Sequence, residues 1–208
     1  MVRIILIRHG RTAWNANEGE GERFRGTIDL PLAEDGVAQA RATARYLAQR
    51  PLDAVYTSPL QRAASTAGII AEPHSLAAQT LPGLRSMDYG QWAGQSHRDV
   101  AEKWPLLYRE WRRDPFSVQI PGGESPAGLR TRSLASLRAA LSQHRDGDTI
   151  ALVSHQVVAR TLVCSLVGAP DHVYWLVHQD LCNVSRFRSN MARNAFTLVR
   201  MNETCHLS

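Results

Sequence analysis

Short apolar runs alternate along this chain with longer stretches in which apolar positions recur every three or four residues. The runs at 2–7 and 149–153 are rich in β-branched residues and carry few polar ones, which is typical of strands buried on both faces of a parallel sheet. Residues 53–57 predict a shorter strand, and 184–188 with 195–201 indicate a terminal pair of strands.

Helical spacing of apolar residues fills the intervals between these runs. It predicts helices at 34–49, at 97–112 with a break at Pro105, at 157–167, and after Ser125-Pro126. A further helix is predicted to begin with Ser58 as its N-cap and Pro59 as its first residue. Strands that alternate with helices indicate an α/β fold with a mostly parallel sheet.

Composition supports a single globular domain. The chain has 208 residues and 44% apolar content, with no linker-like or low-complexity stretch. Its apolar runs are shorter than a membrane span, so we expect a cytoplasmic protein with no membrane partner. Three cysteines lack metal-site spacing, and no zinc site is predicted.

The net charge of +5 is compatible with an anionic partner but does not by itself require one. The excess is almost entirely arginine, since Lys103 is the only lysine, and the arginines are scattered along the chain. No nucleic-acid motif accompanies them, so a nucleic-acid partner is not expected. A small phosphorylated substrate is the better match for a few arginines.

Three of the predicted strand or helix ends carry cationic or imidazole side chains. Arg8, His9 and Gly10 follow the first strand, where arginine suits phosphate oxygens and glycine leaves room for a ligand. Arg62 lies in a first helical turn, where the dipole disfavours a cation, so it is either solvent-exposed or binds an anion. His155 leaves another buried strand. Because the carboxyl ends of parallel strands open onto one crevice, we expect the two histidines to meet there.

These motifs together resemble a known family. L-I-R-H-G-R-T, then S-P-L-Q-R-A-x-x-T-A, then V-S-H follow the order and spacing of the histidine phosphatase superfamily, the phosphoglycerate mutase-like group. Segments 24–40, 89–94 and 121–125 extend the resemblance over nearly the whole chain. It implies a three-layer α/β sandwich, one domain over 1–208 and a helical specificity cap at about 84–120. Dimers are common in the family, so a homodimer is left open.

The resemblance also implies roles for particular residues. His9 would be the nucleophile that becomes phosphohistidine, and Arg8 and Arg62 would grip the phosphoryl oxygens. His155 would contact the same group from the opposite side. Further substrate contacts are implied at Asn15, Arg25 and Gly26. Neither a metal nor an organic cofactor is implied.

One position departs from the family pattern. The family usually carries a glutamate in L-x-E-x-x-x-G, and this carboxylic acid protonates the leaving oxygen. Here the segment reads L-R-S-M-D-Y-G, with Ser86 at the glutamate position. Asp88 is the nearest substitute as proton donor, although it could equally make a turn hydrogen bond. Glu124 is a second candidate, and the remaining alternatives are an enzyme without a donor and a protein that is not an enzyme.

Three functions are therefore weighed. The first is a phosphomonoester hydrolase of histidine acid type that acts on a small phosphorylated metabolite. The second is a phosphoglycerate mutase, because 101–104 and 111–113 are similar to the region that holds the mutase substrate's carboxylate. The mutase pattern, however, wants a lysine where His97 stands and an arginine where Met87 stands. The third is a catalytically weakened protein that binds phosphate ligands, which Ser86 alone supports.

Overall fold

A computed structural model describes residues 1–15, 23–190, 193 and 195–207. In this part of the chain, one sheet contains β1 (Arg3–Arg8), β2 (Ala54–Thr57), β3 (Ala78–Thr80), β4 (Thr149–Ser154), β5 (Val184–Asn190) and β6 (Ala195–Glu203). The α-helices are α1 (Glu34–Ala48), α2 (Gln61–Ala71), α3 (His97–Lys103), α4 (Pro105–Arg113), α5 (Pro126–Leu141) and α6 (Gln156–Val167).

The sheet has the order β3-β2-β4-β1-β5-β6. β3, β2, β4 and β1 run parallel, whereas β5 is antiparallel to β1 and β6 is antiparallel to β5. The predicted mostly parallel sheet is thus confirmed. Its two central strands, β1 and β4, are directly followed by His9 and His155.

Helices cover both faces of the sheet, because the side chains of β1 alternate between two buried clusters. Ile5 and Ile7 pack on the side that contains residues of α1 and α2, and Ile4 and Leu6 pack on the side that contains residues of α5 and α6. The result is the expected three-layer sandwich. The break at Pro105 is also confirmed, since α3 ends at Lys103 and α4 begins at Pro105.

The predicted start of the second helix is wrong. α2 begins at Gln61, whose N–H donates to Asp29 Oδ1 at 2.8 Å, and the side chain of the preceding residue, Leu60, makes no capping hydrogen bond. The Ser58 Oγ atom instead accepts a hydrogen bond from the Leu60 N–H at 3.2 Å and lies 2.8 Å from Nε2 of His155. A contact across 97 positions of sequence thus replaces the local cap.

No helix within the described part of the chain is long and apolar enough to cross a membrane.

Candidate active site

The register of β1 on β4 brings the two histidines together. Arg8 pairs with Ser154 at the carboxyl ends of these parallel strands, and the His9 N–H donates to the Ser154 carbonyl at 2.9 Å. His155 follows Ser154 directly. The imidazole rings of His9 and His155 consequently lie with centroids 5.2 Å apart, edge towards face. Both side chains are buried.

The contacts of His9 fix its tautomer. Nδ1 lies 2.7 Å from the carbonyl oxygen of Gly10. A carbonyl oxygen can only accept, so Nδ1 carries the proton and Nε2 keeps its lone pair. The group that fixes this tautomer is thus the backbone carbonyl of the next residue.

Both histidines are held neutral. Burial, followed by the charges of Arg62 and Arg8, lowers the pKa of His9 well below its ordinary value. Burial and the charge of Arg62 do the same to the pKa of His155. A neutral imidazole with a free lone pair can attack an electrophile, which an imidazolium cannot do.

Arg62 is not an exposed cation. Its side chain is 1% exposed, and its terminal nitrogens donate to the carbonyls of Ile28 and Gly26, each at 2.8 Å. Burial and the nearby Arg25 lower the pKa of Arg62 to about 10. A guanidinium has five N–H donors, and these two bonds use only two of them. Solvent exposure is therefore excluded, and donors remain for an anion.

Backbone packing gives a reason for glycine at position 10 that the sequence did not reveal. A Cβ atom built there would lie 2.5 Å from the carbonyl oxygen of Gly36, and one built at Gly36 would lie 2.1 Å from the carbonyl oxygen of Arg11. The two glycines thus let the first turn of α1 pack directly on the loop that carries His9. Close approach of the protein backbone therefore requires glycine here.

A cavity of about 310 Å³ opens beside the two histidines. Among the described residues that line it there are five arginines and no aspartate or glutamate. The arginines are Arg23, Arg25, Arg62, Arg112 and Arg160. A concave site with converging cations and two neutral imidazoles is suited to a phosphorylated ligand.

Sequence comparison decides the family. Residues 4–204 match the profile of the histidine phosphatase superfamily (branch 1). The chain belongs to the histidine phosphatase superfamily.

Individual relatives agree with this membership. The chain is 34% identical over 207 residues to Phosphoserine phosphatase 1 of Hydrogenobacter thermophilus, covering 100% of this chain and 95% of the relative. It is 30% identical over 214 residues to a Yersinia pestis protein named "Probable phosphoglycerate mutase GpmB", covering 100% and 95%. Among solved structures, YhfR of Bacillus stearothermophilus superposes with a TM-score of 0.91 at 25% identity, covering 100% of both chains.

In this histidine phosphatase, Ser86 lines the cavity where the family's glutamate is usual. Arg132 holds its segment by donating to the carbonyls of Gly83 at 2.7 Å and Ser86 at 3.0 Å. The same guanidinium forms a two-pronged ion pair with Glu124, at 2.6 and 2.8 Å. Glu124, the second candidate for proton donor, is thus occupied in positioning this loop.

Asp88 and Asn15 make local contacts instead of lining the cavity. The Asp88 Oδ1 atom accepts from the Gly90 N–H at 2.9 Å. The Asn15 Oδ1 atom accepts from the backbone N–H of Thr12 at 3.1 Å and from its hydroxyl at 2.9 Å. Neither side chain is among the described residues that line the cavity. The roles predicted for them stay predictions, and the geometry adds no support to them.

Two of the remaining predicted site residues line the cavity, and one does not. Arg25 and Gly26 line the cavity, as a substrate contact requires. Arg8 is buried and donates to the carbonyl of Gln179 at 2.7 Å. The predicted cap segment contains the aromatic residues Trp92, Trp104, Tyr108, Trp111 and Phe116. Of these, Trp111 alone lines this cavity, and Trp92 is fully buried in the core.

Several cavity residues were missed by sequence reasoning. Gln156, Val157 and Arg160 lie on α6 directly after His155, at the spacing of one helical face. That spacing was a usable signal once a helix was predicted there. Tyr174 and Trp175 come from the 3₁₀ turn Asp171–Leu176, and no sequence motif marked them.

Proposed function

We propose that this protein is a phosphomonoester hydrolase of histidine acid type, which cleaves small phosphorylated metabolites through a phosphohistidine at His9. The observation that carries this is the neutral His9, whose Nδ1 proton is fixed by Gly10 so that Nε2 keeps a lone pair beside a cationic cavity. The relative named as a phosphoserine phosphatase supports hydrolysis as the outcome.

In the first step, Nε2 of His9 attacks phosphorus and the bond between phosphorus and the ester oxygen breaks. Charge on the equatorial phosphoryl oxygens is stabilised by Arg62 and Arg8, with Arg25 nearby. The Nδ1–H bond to the Gly10 carbonyl stabilises the positive charge that the phosphorylated ring acquires. The departing oxygen of an alkyl ester also needs a proton, which no carboxyl group among the described lining residues can supply, so this proton comes from solvent.

In the second step, water attacks phosphorus and the bond from phosphorus to Nε2 breaks. The water oxygen becomes part of the released phosphate, one water proton stays on that ion, and the other passes to solvent. The ring returns to its neutral tautomer with the proton still on Nδ1. Splitting the reaction in two lets one nucleophile serve both halves.

Two positions favour hydrolysis over phosphoglycerate mutation. Met87 is 2% exposed and belongs to the core, so the arginine of the mutase pattern has no counterpart there. His97 lines the cavity at the position of the mutase lysine, with Nδ1 3.0 Å from the Tyr108 hydroxyl.

The test is a panel of phosphate esters with inorganic phosphate as the readout. We expect phosphate release that is abolished in His9→Ala and unchanged in Arg113→Gln, an exposed control. A mutase would instead isomerise 3-phosphoglycerate without net release. Binding of phosphate esters without either reaction would support the weakened binding protein.

We propose the wider properties on composition and resemblance alone. They are a single domain over 1–208 with a specificity cap at about 84–120, a cytoplasmic location and no nucleic-acid partner, with the choice between monomer and homodimer left open. Light scattering of the purified chain tests the last of these.

A further inference from the structure

A second cavity, with a volume of about 410 Å³, lies at the opposite end of the sheet from the two histidines. It is lined by Arg3 and Thr149, the first residues of β1 and β4, whereas His9 and His155 follow the last residues of these strands. The described residues that line the two cavities have no member in common. The volume lies within the range of about 300–1,000 Å³ that is usual for ligand pockets. The second cavity is therefore a candidate binding site of its own.

Four arginines line the second cavity, and the described residues that line it include no aspartate or glutamate. Arg3 begins β1, Arg50 follows α1, and Arg186 and Arg188 lie on β5. These positions are widely separated in the sequence, and the pairing of β1 with β5 beside the end of α1 brings them together. No local run of basic residues marks them, so the sequence alone did not predict this cluster.

Arg3 and Arg188 occupy opposite positions on neighbouring strands. They are directly paired in the antiparallel register of β1 and β5, and both line the second cavity. Like charges at directly opposite positions destabilise a sheet. Arg3 donates to the carbonyl of Gly147 at 2.7 Å, which orients its guanidinium without neutralising it, and Arg188 has no ion-pair partner among the described residues. An oxyanion bound between the two guanidiniums removes this repulsion.

The other two arginines are held by one aromatic ring. The guanidinium carbons of Arg50 and Arg186 lie 5.2 and 5.5 Å from the centroid of the Tyr46 ring. Arg186 also forms an ion pair with Glu203 at 3.1 Å, and its Nε atom is buried without a hydrogen-bond partner among the described residues. Within the described part of the chain, Glu203 is the only carboxylate that pairs with any of the four arginines. The second cavity therefore keeps an excess of positive charge and of hydrogen-bond donors.

Part of the cavity wall is apolar. Ile5 on β1, Pro51 after α1 and Val199 on β6 all line it, and Val199 is 43% exposed. An inorganic anion leaves this surface in water, whereas the apolar part of an organic anion covers it, and burial of apolar surface favours binding. The lining is thus suited to a ligand with one charged end and one apolar end.

We propose that the second cavity binds an amphipathic organic anion. The carboxylate or phosphate group of this ligand lies between Arg3 and Arg188, because the forked donors of arginine match both oxyanions. Its apolar part covers Pro51 and Val199. The site shares no described lining residue with the cavity beside the histidines, so it goes beyond the proposed phosphatase reaction and does not depend on it.

Calorimetry with the full chain tests the proposal, with 2-naphthoate as the probe. 2-Naphthamide has the same rings without the charge, and acetate has the carboxylate without the rings. Inorganic phosphate is added to occupy the phosphoryl site, so that binding there does not contribute. We expect 2-naphthoate to bind at least about tenfold more tightly than either comparison compound, because each of them lacks one of the two contacts. Equal affinity for 2-naphthoate and either compound would overturn the proposal.

Arg3→Gln and Arg188→Gln should each lower the affinity for 2-naphthoate about tenfold, the size of a charge-assisted hydrogen bond, and leave the affinity for 2-naphthamide unchanged. Both arginines are exposed, so circular dichroism should show an intact fold. Arg45→Gln is the matched control, because Arg45 is an exposed arginine of α1 that does not line the cavity. A preference for the acid over the amide that survives both substitutions, or an equal loss in the control, would reject the site.

A DNA duplex of mixed sequence distinguishes a small-ligand site from a nucleic-acid surface, because the phosphates of a duplex also bind clustered arginines. We expect 2-naphthoate to stay bound when the duplex is added at physiological salt, since its apolar part lies inside the cavity. Displacement of 2-naphthoate by the duplex would assign the four arginines to nucleic acid and contradict the proposal.

Discussion

We expect the catalytic efficiency of the enzyme to depend on Ser86. It lines the cavity, and the two neighbouring carboxylates are engaged elsewhere, Asp88 with the Gly90 N–H and Glu124 with Arg132. A positioned general acid typically contributes about 10²–10⁴-fold to such a reaction. We therefore expect the enzyme to favour substrates whose leaving group departs without a proton, such as aryl or acyl phosphates.

Ser86→Glu restores the usual acid at the cavity wall. We expect it to raise kcat/KM for an alkyl phosphate by at least about tenfold and to change the value for 4-nitrophenyl phosphate much less, because only the alkyl leaving group needs the proton. Ser86→Gln has the same size without the acid and serves as the control. An equal gain with glutamine, or no gain with glutamate, would show that a missing acid is not what limits the reaction.

Asp88→Asn tests the remaining candidate donor. The Oδ1 atom of Asp88 already accepts from the Gly90 N–H, and an amide oxygen can replace it there. We expect small and equal losses of kcat on an aryl and an alkyl phosphate. A loss of about 10²-fold or more on the alkyl ester alone would instead assign Asp88 as the general acid.

At the scale of elements, the seating of α1 on the loop after β1 holds His9 in place. Gly10 lies against the backbone of Gly36, and Gly36 lies against the backbone of Arg11, so closely that a side chain at either glycine must push the two segments apart. From the R-H-G motif, Gly10 was expected to leave room for a ligand beside His9. Its partner lies 26 positions away, and no local pattern could have named it.

Gly36→Ala should lower the free energy of unfolding by about 1–3 kcal/mol, as overpacked positions do, and should lower kcat with it. Gly68→Ala is the matched control, because it lies inside α2 with no atom within 4 Å of the added Cβ. Gly68→Ala should raise the free energy of unfolding by about 0.4–1 kcal/mol. Denaturant unfolding compares the two. Equal effects would show that the contact between α1 and the loop is not tight.

Contacts between segments that are distant in sequence also explain which other features could be predicted and which could not. The helix start at Ser125-Pro126 is confirmed, because the Ser125 Oγ atom accepts from the Gly128 N–H within one helical turn. The start at Ser58 failed because its hydroxyl has a partner far along the chain, His155, which lies between β4 and α6. Arg132, which fixes the Ser86 segment from α5, was missed for the same reason. Local patterns predict elements, and the site depends on contacts between them.

At the scale of the whole molecule, two buried neutral histidines link stability to pH. The pKa values of His9 and His155 are lowered in the folded protein, while an unfolded histidine titrates near 6.5. Below that pH the unfolded chain binds more protons, so acidification favours unfolding. Keeping these histidines neutral for phosphoryl transfer therefore lowers the free energy of unfolding at acidic pH.

His9→Gln should make unfolding less sensitive to acid. Between the ordinary pKa and the lowered pKa, each such histidine contributes a slope of about 1.4 kcal/mol per pH unit. We expect the variant to lose stability less steeply than the wild type by about that amount as the pH falls below 6. Urea unfolding across pH 7 to 5 measures this difference. Parallel curves would mean that His9 is protonated in the folded protein.

Family membership and the fold lead to one chemical claim, that His9 becomes phosphorylated during turnover. The direct measurement is to mix the protein with a ³²P-labelled phosphate ester, quench in base, which preserves phosphohistidine, and map the label by peptide sequencing. We predict label at His9 that decays as substrate is exhausted, with none in His9→Gln. Full turnover with no label on the protein, or label at any other residue, would contradict a phosphohistidine at His9.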